Sequence, residues 1–427
     1  MRVTVCLCAG IRDVTVRRWK KVWACRGRYY VYPLKVPQPL FKKGIKVVDV
    51  GQTEIPKPKW VPPVPDDPRF AEVVPHEKRL DWKTEPAFAH HDNVRLFEGI
   101  KQACLIAKAQ HFEGFPPAVE GLIGALDIED KDLLLQRYIM QSRVWNTDED
   151  RLPKPFDPRK PRWHWTAQYG ITSLKSSQIL LRNFLRLCQL ETFHLKSCQR
   201  TQIADLPLYS YINYKGKPIV MNEVLDLVLT SPSPLPLFAD KSAVAESVGH
   251  KIPDMWPVFP TVDFLQTNNY TLSNNLGFVE ENPLLTPHTI IQIPRKTNWE
   301  QKHYQASQIM SSLMYTAALA RRKYGEDVKI LPEPITIQHV AIQDSWLLYT
   351  FFQLNTLDFD SDDGIKNLVW TAPQADLFKI LRRQPWMPRI MRKDRYIDYN
   401  PTAFDQFLAV YMSGGSKDAV KEKLEAV

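Results

Sequence analysis

The sequence predicts an α+β fold: a mostly antiparallel sheet with packed helices, preceded by a helical region and a long Pro-rich extended N-terminal arm. Three observations carry that reading. Apolar runs are paired across short turn signals at Lys215-Gly216-Lys217 and around Asp344-Ser345, the pattern of β-hairpins. A long stretch of helical periodicity, Trp299 to Tyr324, lies between them and stops at Gly325. Pro is in excess, 34 against 16 Gly in 427 residues, and it punctuates the stretch before residue 90.

Residues 1–28 carry Arg2, Arg12, Arg17, Arg18, Lys20, Lys21, Arg26 and Arg28 against Asp13 alone, a net of +7. An Arg-rich, nearly acid-free N-terminus broken by apolar residues reads as a mitochondrial transit peptide. The whole chain is +9, so only +2 remains for the body, and any RNA contact must come from local patches. Residues 29–90 are expected to form the extended arm. Tyr32-Pro33, Pro37-Gln38-Pro39, Pro56-Lys57-Pro58 and Pro62-Pro63-Val64-Pro65 lack amide donors, which excludes regular helix and disfavours a central strand. Phe41, Trp60, Phe70, Trp82 and Phe88 are more aromatics than a disordered linker carries, so the arm reads as lying along another surface.

Residues 91–204 read as mainly helical. One helix is expected from Asp92, a suitable N-cap, with Val94, Phe97, Ile100, Cys104 and Ala107 at helical spacing. A second runs from about Glu129 to Trp145, with Leu133, Leu134, Tyr138 and Met140 as its apolar face, and a third spans Ser173–Leu190. Residues 205–412 form the α+β region. Its expected strands are Leu208–Tyr214, Pro218–Met221, His288–Ile293, Pro334–Ile342, Trp346–Asn355 and Ile365–Trp370, and Thr402–Met412 is a final helix. Arg321, Arg322 and Lys323 suit the negative end of the long helix. Residues 413–427 are a charged tail. No apolar run reaches the roughly 18–20 residues of a membrane span.

The common catalytic signatures GxSxG, GxxxxGK[ST], GxGxxG and HExxH do not occur. The six cysteines form no CxxC and read as free thiols; Cys188, His194 and Cys198 fall short of a four-ligand zinc set. Asp358, Asp360, Asp362 and Asp363 invite a calcium-loop reading, but the sixth position from Asp358 is Asp363, not Gly, and the twelfth is Val369, not Glu. A polar turn closed by Gly364 fits better; a metal-dependent RNA-processing enzyme built on the Asp358–Asp363 cluster is the alternative. His90-His91-Asp92 reads as a helix start. No catalytic residue, metal or cofactor is assigned. Two stretches have the composition of RNA contacts: Arg159, Lys160, Arg162, Trp163 and Trp165, and Arg382, Arg383, Trp386, Arg389, Arg392, Lys393 and Arg395. Cations neutralise phosphates while Trp faces stack on unpaired bases.

Particular strings are specific. Asp67-Pro68-Arg69-Phe70, Leu96-Phe97-Glu98-Gly99-Ile100-Lys101-Gln102-Ala103, and Phe352-Gln353-Leu354-Asn355-Thr356 running on through Asp363 to Trp370 resemble the mitochondrial large-subunit ribosomal protein family numbered thirty-seven. Order and spacing match from about Asp67 to Met412. That family also contains the animal protein numbered thirty, historically called programmed cell death protein nine. The resemblance implies a non-catalytic scaffold in the mitochondrial large ribosomal subunit, contact with large-subunit rRNA and with other mitochondrial ribosomal proteins, and a hetero-pair with the homologous protein number thirty. It also recasts the Asp358–Asp363 cluster as a structural turn.

Overall fold

The computed structural model describes residues 38–44, 79, 81–91, 94–146, 149–152, 161, 168–277, 286–296, 298–381 and 395–415. The chain divides into two compact units, Met1–Val73 and Val74–Val427. The first has one described element, helix α1 (Gln38–Lys42). The proline spacing argues against regular helix in the arm, yet Pro39 sits in the first turn, where a missing amide costs no intrahelical bond. The transit-peptide segment 1–28, most of the arm and the tail from residue 416 lie outside the described residues.

The second unit opens with strand β1 (Trp82–His90), helix α2 (Ile100–Ile106), strand β2 (Ala109–Glu113), and helices α3 (Pro117–Glu120) and α4 (Lys131–Ser142). Strands β3 (Arg151–Leu152) and β4 (Gln168–Tyr169) precede helix α5 (Ser173–Thr192). Then come β5 (Thr201–Tyr214), β6 (Lys217–Ser231), α6 (Lys241–Glu246), β7 (Leu265–Asn269) and β8 (Thr286–Gln292). The long helix α7 (Gln301–Tyr324) leads to β9 (Ile330–Gln343), β10 (Trp346–Thr356), β11 (Asn367–Thr371), β12 (Ala375–Asp376), β13 (Lys379–Leu381), β14 (Arg395–Ile397) and α8 (Thr402–Met412).

One sheet organises the unit, in the order β2-β11-β10-β9-β8-β6-β1-β7, with β5 on β6 and β12 on β10. Most neighbours are antiparallel; β1–β6, β8–β9 and β2–β11 are parallel. Both expected hairpins are present. Tyr214 pairs with Lys217 across Lys215 (φ 48°) and Gly216 (φ 76°), the left-handed pair that a two-residue hairpin turn requires. Trp346 pairs with Gln343 across Asp344 and Ser345.

Helices cover both faces of the sheet. Tyr349 and Phe351 of β10 join a core with α4, α5 and α8, while Phe352 and Leu354 join a second core with α2 and α7. Double coverage explains why Trp346–Thr356 is buried almost throughout instead of on alternate residues. Phe184 of α5 meets Phe404 edge-on at 5.1 Å and Phe407 at 5.8 Å, which fixes the α5–α8 contact.

Three expectations are corrected. Proline disfavours a central strand before residue 90, but β1 lies between β6 and β7. Its Pro86 falls at the register shift between Trp82 and Ala87, where the ladder skips, so no paired amide is missing. The first helix starts at Ile100 instead of Asp92. Gly99 has φ 66° and approaches α7 so closely that a Cβ there would lie 2.9 Å from the Lys302 side chain. Finally, α4 buries Leu135 and Ile139, leaving Leu133 and Met140 exposed, so its face is turned from the expected one.

Candidate nucleic-acid interface

The described residues show the roots of both basic-aromatic stretches. Arg159, Lys160, Arg162, Trp163 and Trp165 lie outside the described residues. So do Arg382, Arg383, Trp386, Arg389, Arg392 and Lys393. Arg395 is placed as backbone only, opposite Leu381 at the base of the β13–β14 hairpin. The first stretch is closed by Arg151 pairing with Tyr169 and Leu152 with Gln168.

Both roots attach to the α4–α5 layer. Arg143, just past α4, places its guanidinium 5.7 Å from the Phe378 ring centre and 5.9 Å from that of Tyr396, and it pairs with Asp344 at 3.3 Å. This holds the second root. For the first, Asp150 accepts from Lys175 Nζ at 2.7 Å and from the Asn146 amide at 2.8 Å. The hydrogen bond from Lys175 is the main reason that the Asp150 carboxyl titrates below its ordinary value. The residues that flank each basic stretch are therefore paired with one another and tied to a helix.

The Asp358–Asp363 cluster is a turn built around lysines. Lys366 is almost fully buried and donates to the carbonyls of Asp362 and Gly364, while Lys108 Nζ donates to the Asp358 carbonyl at 3.0 Å. Asp360 accepts from the Gly216 amide, and Asp362 pairs with Lys215 at 3.0 Å. Two ammonium groups hold the turn's carbonyls and a third pairs with the Asp362 carboxylate, contacts that account for the cluster as a polar turn. Gly364 takes φ 85° at the turn. His90 ends β1 instead of starting a helix; it is buried with its ring edge-on to Phe264, and burial lowers its pKa to about 3. Cys188 and Cys198 are buried thiols in the α5–α8 core.

A further basic-aromatic segment, Pro294-Arg295-Lys296 through Trp299, does not stand out in the sequence, although its composition repeats that of the other two. The structure shows what it borders. One edge of β6 pairs with β5 throughout; the other pairs with β1 up to Met221 and with β8 from Leu227. Against the segment of β6 between those two pairings, a cavity of about 240 Å³ is lined by Glu223, Asp226, Arg295, Lys296, Trp299 and Tyr304. Glu223 is buried; its Oε2 accepts from Ser311 Oγ at 2.7 Å, and its Oε1 accepts from Gln292 Nε2. Asp226 accepts from the Ile293 amide at 2.8 Å and from Arg295 at 3.3 Å, and burial raises its pKa. The Tyr304 hydroxyl donates to the Lys296 carbonyl, and its ring centre lies 5.7 Å from that of Trp299 and 5.2 Å from that of Trp346.

No family model matches the chain. Curated proteins do. The chain is 28% identical over 362 residues to the mouse protein named large ribosomal subunit protein mL37, covering 82% of this chain and 80% of that one. It is 28% identical to the rat protein of that name over 363 residues, with the same coverage of both chains. The chicken protein of that name is 26% identical over 342 residues, covering 78% of this chain and 75% of that one. The chain is thus similar to mL37 large ribosomal subunit proteins along about four-fifths of its length.

Proposed function

We propose that this chain is a non-catalytic constituent of the mitochondrial large ribosomal subunit that contacts large-subunit rRNA and neighbouring proteins in support of mitochondrial translation. The observation that carries the reading is similarity to mL37 proteins along about four-fifths of both partners. The address is mitochondrial and the protein is not an enzyme, as its relatives are ribosomal proteins. Two structural features support the finer statements. The helix-tied pairs β3–β4 and β13–β14 bracket the two stretches whose cationic and aromatic composition suits phosphate and base contact. Trp256, Phe259 and Val262 are exposed together on one loop, an apolar patch suited to a protein neighbour. A hetero-pair with the homologous protein numbered thirty is the partner we propose for it. Among the described residues no helix is long and apolar enough to cross a membrane.

The test is sedimentation. Mitochondrial lysate fractionated on a sucrose gradient should place this chain with the large subunit, and mild RNase should shift it together with its neighbours. A chain that stays at the top of the gradient overturns the reading.

A further inference from the structure

The cavity lies against β6 where that strand passes from its pairing with β1 to its antiparallel pairing with β8. Strand β8 runs parallel to β9 and reaches it through α7, so the cavity opens at the carboxyl end of β8 and the first turns of the crossover helix. Crevices at that position in mixed sheets are where ligands bind, because diverging connections leave room and the helix terminus offers unpaired amides. At about 240 Å³ the space falls below the roughly 300–1,000 Å³ of drug-sized pockets, so it suits a single planar ring system.

Its charges run in a definite order. Glu223 is buried at the inner end and accepts from Ser311 and Gln292, whereas at the rim Arg295 is exposed and pairs with Asp226 at 3.3 Å and Lys296 is exposed. A free anion is attracted by the rim and repelled within; a cationic side chain faces the opposite conflict. A ligand with an anionic outer part and a neutral, amine-bearing ring satisfies both ends. Trp299, half-buried and backed by the buried Tyr304 ring, supplies a stacking face for that ring system.

We infer that this cavity takes one unpaired nucleobase of RNA, stacked on Trp299, with its exocyclic amine towards Glu223 and its phosphate towards Arg295 and Lys296. The inference rests on the reading that the chain contacts RNA, and it names a contact separate from the two long loops. Carboxylates accept from exocyclic amines, so adenine and cytosine fit and uracil, which has none, does not.

The experiment titrates the full chain with short single-stranded oligo(A), oligo(C) and oligo(U) RNA and follows tryptophan fluorescence at fixed salt. Oligo(A) and oligo(C) should bind about tenfold or more tighter than oligo(U), as expected of one good base-edge contact. Trp299→Ala should weaken all three by about tenfold or more, while Trp299→Phe, which keeps a ring, should bind nearly as the parent does. Glu223→Gln should erase the preference for amine-bearing bases and leave oligo(U) unchanged. Because Glu223→Gln is read as a base preference and Trp299→Phe as retained binding, a Trp299→Ala chain that fails to fold does not decide the outcome. Equal affinity for the three oligonucleotides, none for any, or parental binding by a folded Trp299→Ala chain overturns the proposal. So does an arginine peptide that binds in a Glu223-dependent way without competing with RNA, which marks a protein-docking pocket. The parent chain's sedimentation with the large subunit is scored separately: pocket variants that behave as the parent in a chain that does sediment sink this inference alone, whereas a chain that never sediments sinks the ribosomal reading.

Discussion

The guanidinium of Arg321 lies 4.0 Å from the centre of the Tyr211 ring and donates to the carbonyl oxygen of the same residue. This joins the last turn of α7 to the middle of β5. The cluster Arg321, Arg322 and Lys323 is consequently not a uniform solvated stripe at a helix end. Arg321 is buried and also meets Glu326 at 3.5 Å, while Lys323 reaches out to Glu333 at 3.0 Å. The helix dipole accounts for a cation in the last turn, but only the packing against Tyr211 accounts for arginine at this position.

Replacing Arg321 by Ala should therefore destabilise the second unit by about 2–4 kcal/mol, the size of a charged hydrogen bond plus a desolvated cation–π interaction. Arg321→Lys should recover less than half, because an ammonium cannot stack on the ring and reach the carbonyl together. Urea unfolding curves decide it. Midpoints that match the parent for both variants would show that the clamp is ornamental.

The Asp358–Asp363 turn should be indifferent to divalent cations. With Lys366, Lys108 and Lys215 already bonded into it, millimolar Mg²⁺, Mn²⁺ or Ca²⁺ should leave the thermal midpoint unchanged, and EDTA should do the same. Lys366→Ala, by contrast, should destabilise by about 1–3 kcal/mol, since it removes a buried side chain whose ammonium donates to the carbonyls of Asp362 and Gly364. A cation-dependent rise in the midpoint, or RNA cleavage that needs the metal, would revive the enzyme alternative.

How much of this was legible in the sequence follows from the range of the interactions. Turn chemistry is local, so Lys215-Gly216 and Asp344-Ser345 announced their hairpins, and Gly325 marked the end of α7. Non-local pairing has no such signature. β2 is five residues of mixed polarity, Ala-Gln-His-Phe-Glu, that becomes a strand because Asn367–Thr371 lies parallel beside it. β1 is read as an arm until its pairing with Ile219–Met221 is known. The cavity is harder still, since Glu223, Trp299 and Tyr304 come from three elements and only the gap between two strands on one edge of β6 brings them together. Its single local cue was Arg295-Lys296 followed by Trp299.

Acid should weaken the fold through histidines that burial keeps neutral. His90 and His339 are fully buried, and burial lowers both pKa values from 6.5 to about 3. Below about pH 6.5 the unfolded chain takes up protons that the folded chain refuses, so stability is complete above that value and is lost as pH falls towards 3. By about pH 5 each histidine costs on the order of 2 kcal/mol. His339 Nδ1 lies 3.2 Å from the Gln308 carbonyl under α7, so His339→Gln keeps a donor there and removes the titration. Urea curves at pH 7 and pH 5 should lie closer together for this variant than for the parent, by about that amount. An equal spread in both would place the acid sensitivity elsewhere.

The two long loops should dominate the salt dependence of RNA binding. With about +2 left outside residues 1–28, the body offers little diffuse attraction, so phosphate binding must be concentrated. Reversing Arg389, Arg392 and Lys393 to Glu should flatten the plot of log affinity against log salt by roughly one unit for each phosphate no longer neutralised. It follows that the penalty is greater at low salt than at high salt, since salt already screens the attraction that these cations supply. Arg321 is unsuitable as a control, because its reversal would unclamp α7 from β5. Lys196 and Lys251, exposed and outside both basic stretches, serve instead. If reversing Lys196 and Lys251 changes the slope as much as reversing the Arg389 set, the loops are not the RNA surface, and docking through the Trp256–Val262 patch becomes the better account of how this protein is held on the ribosome.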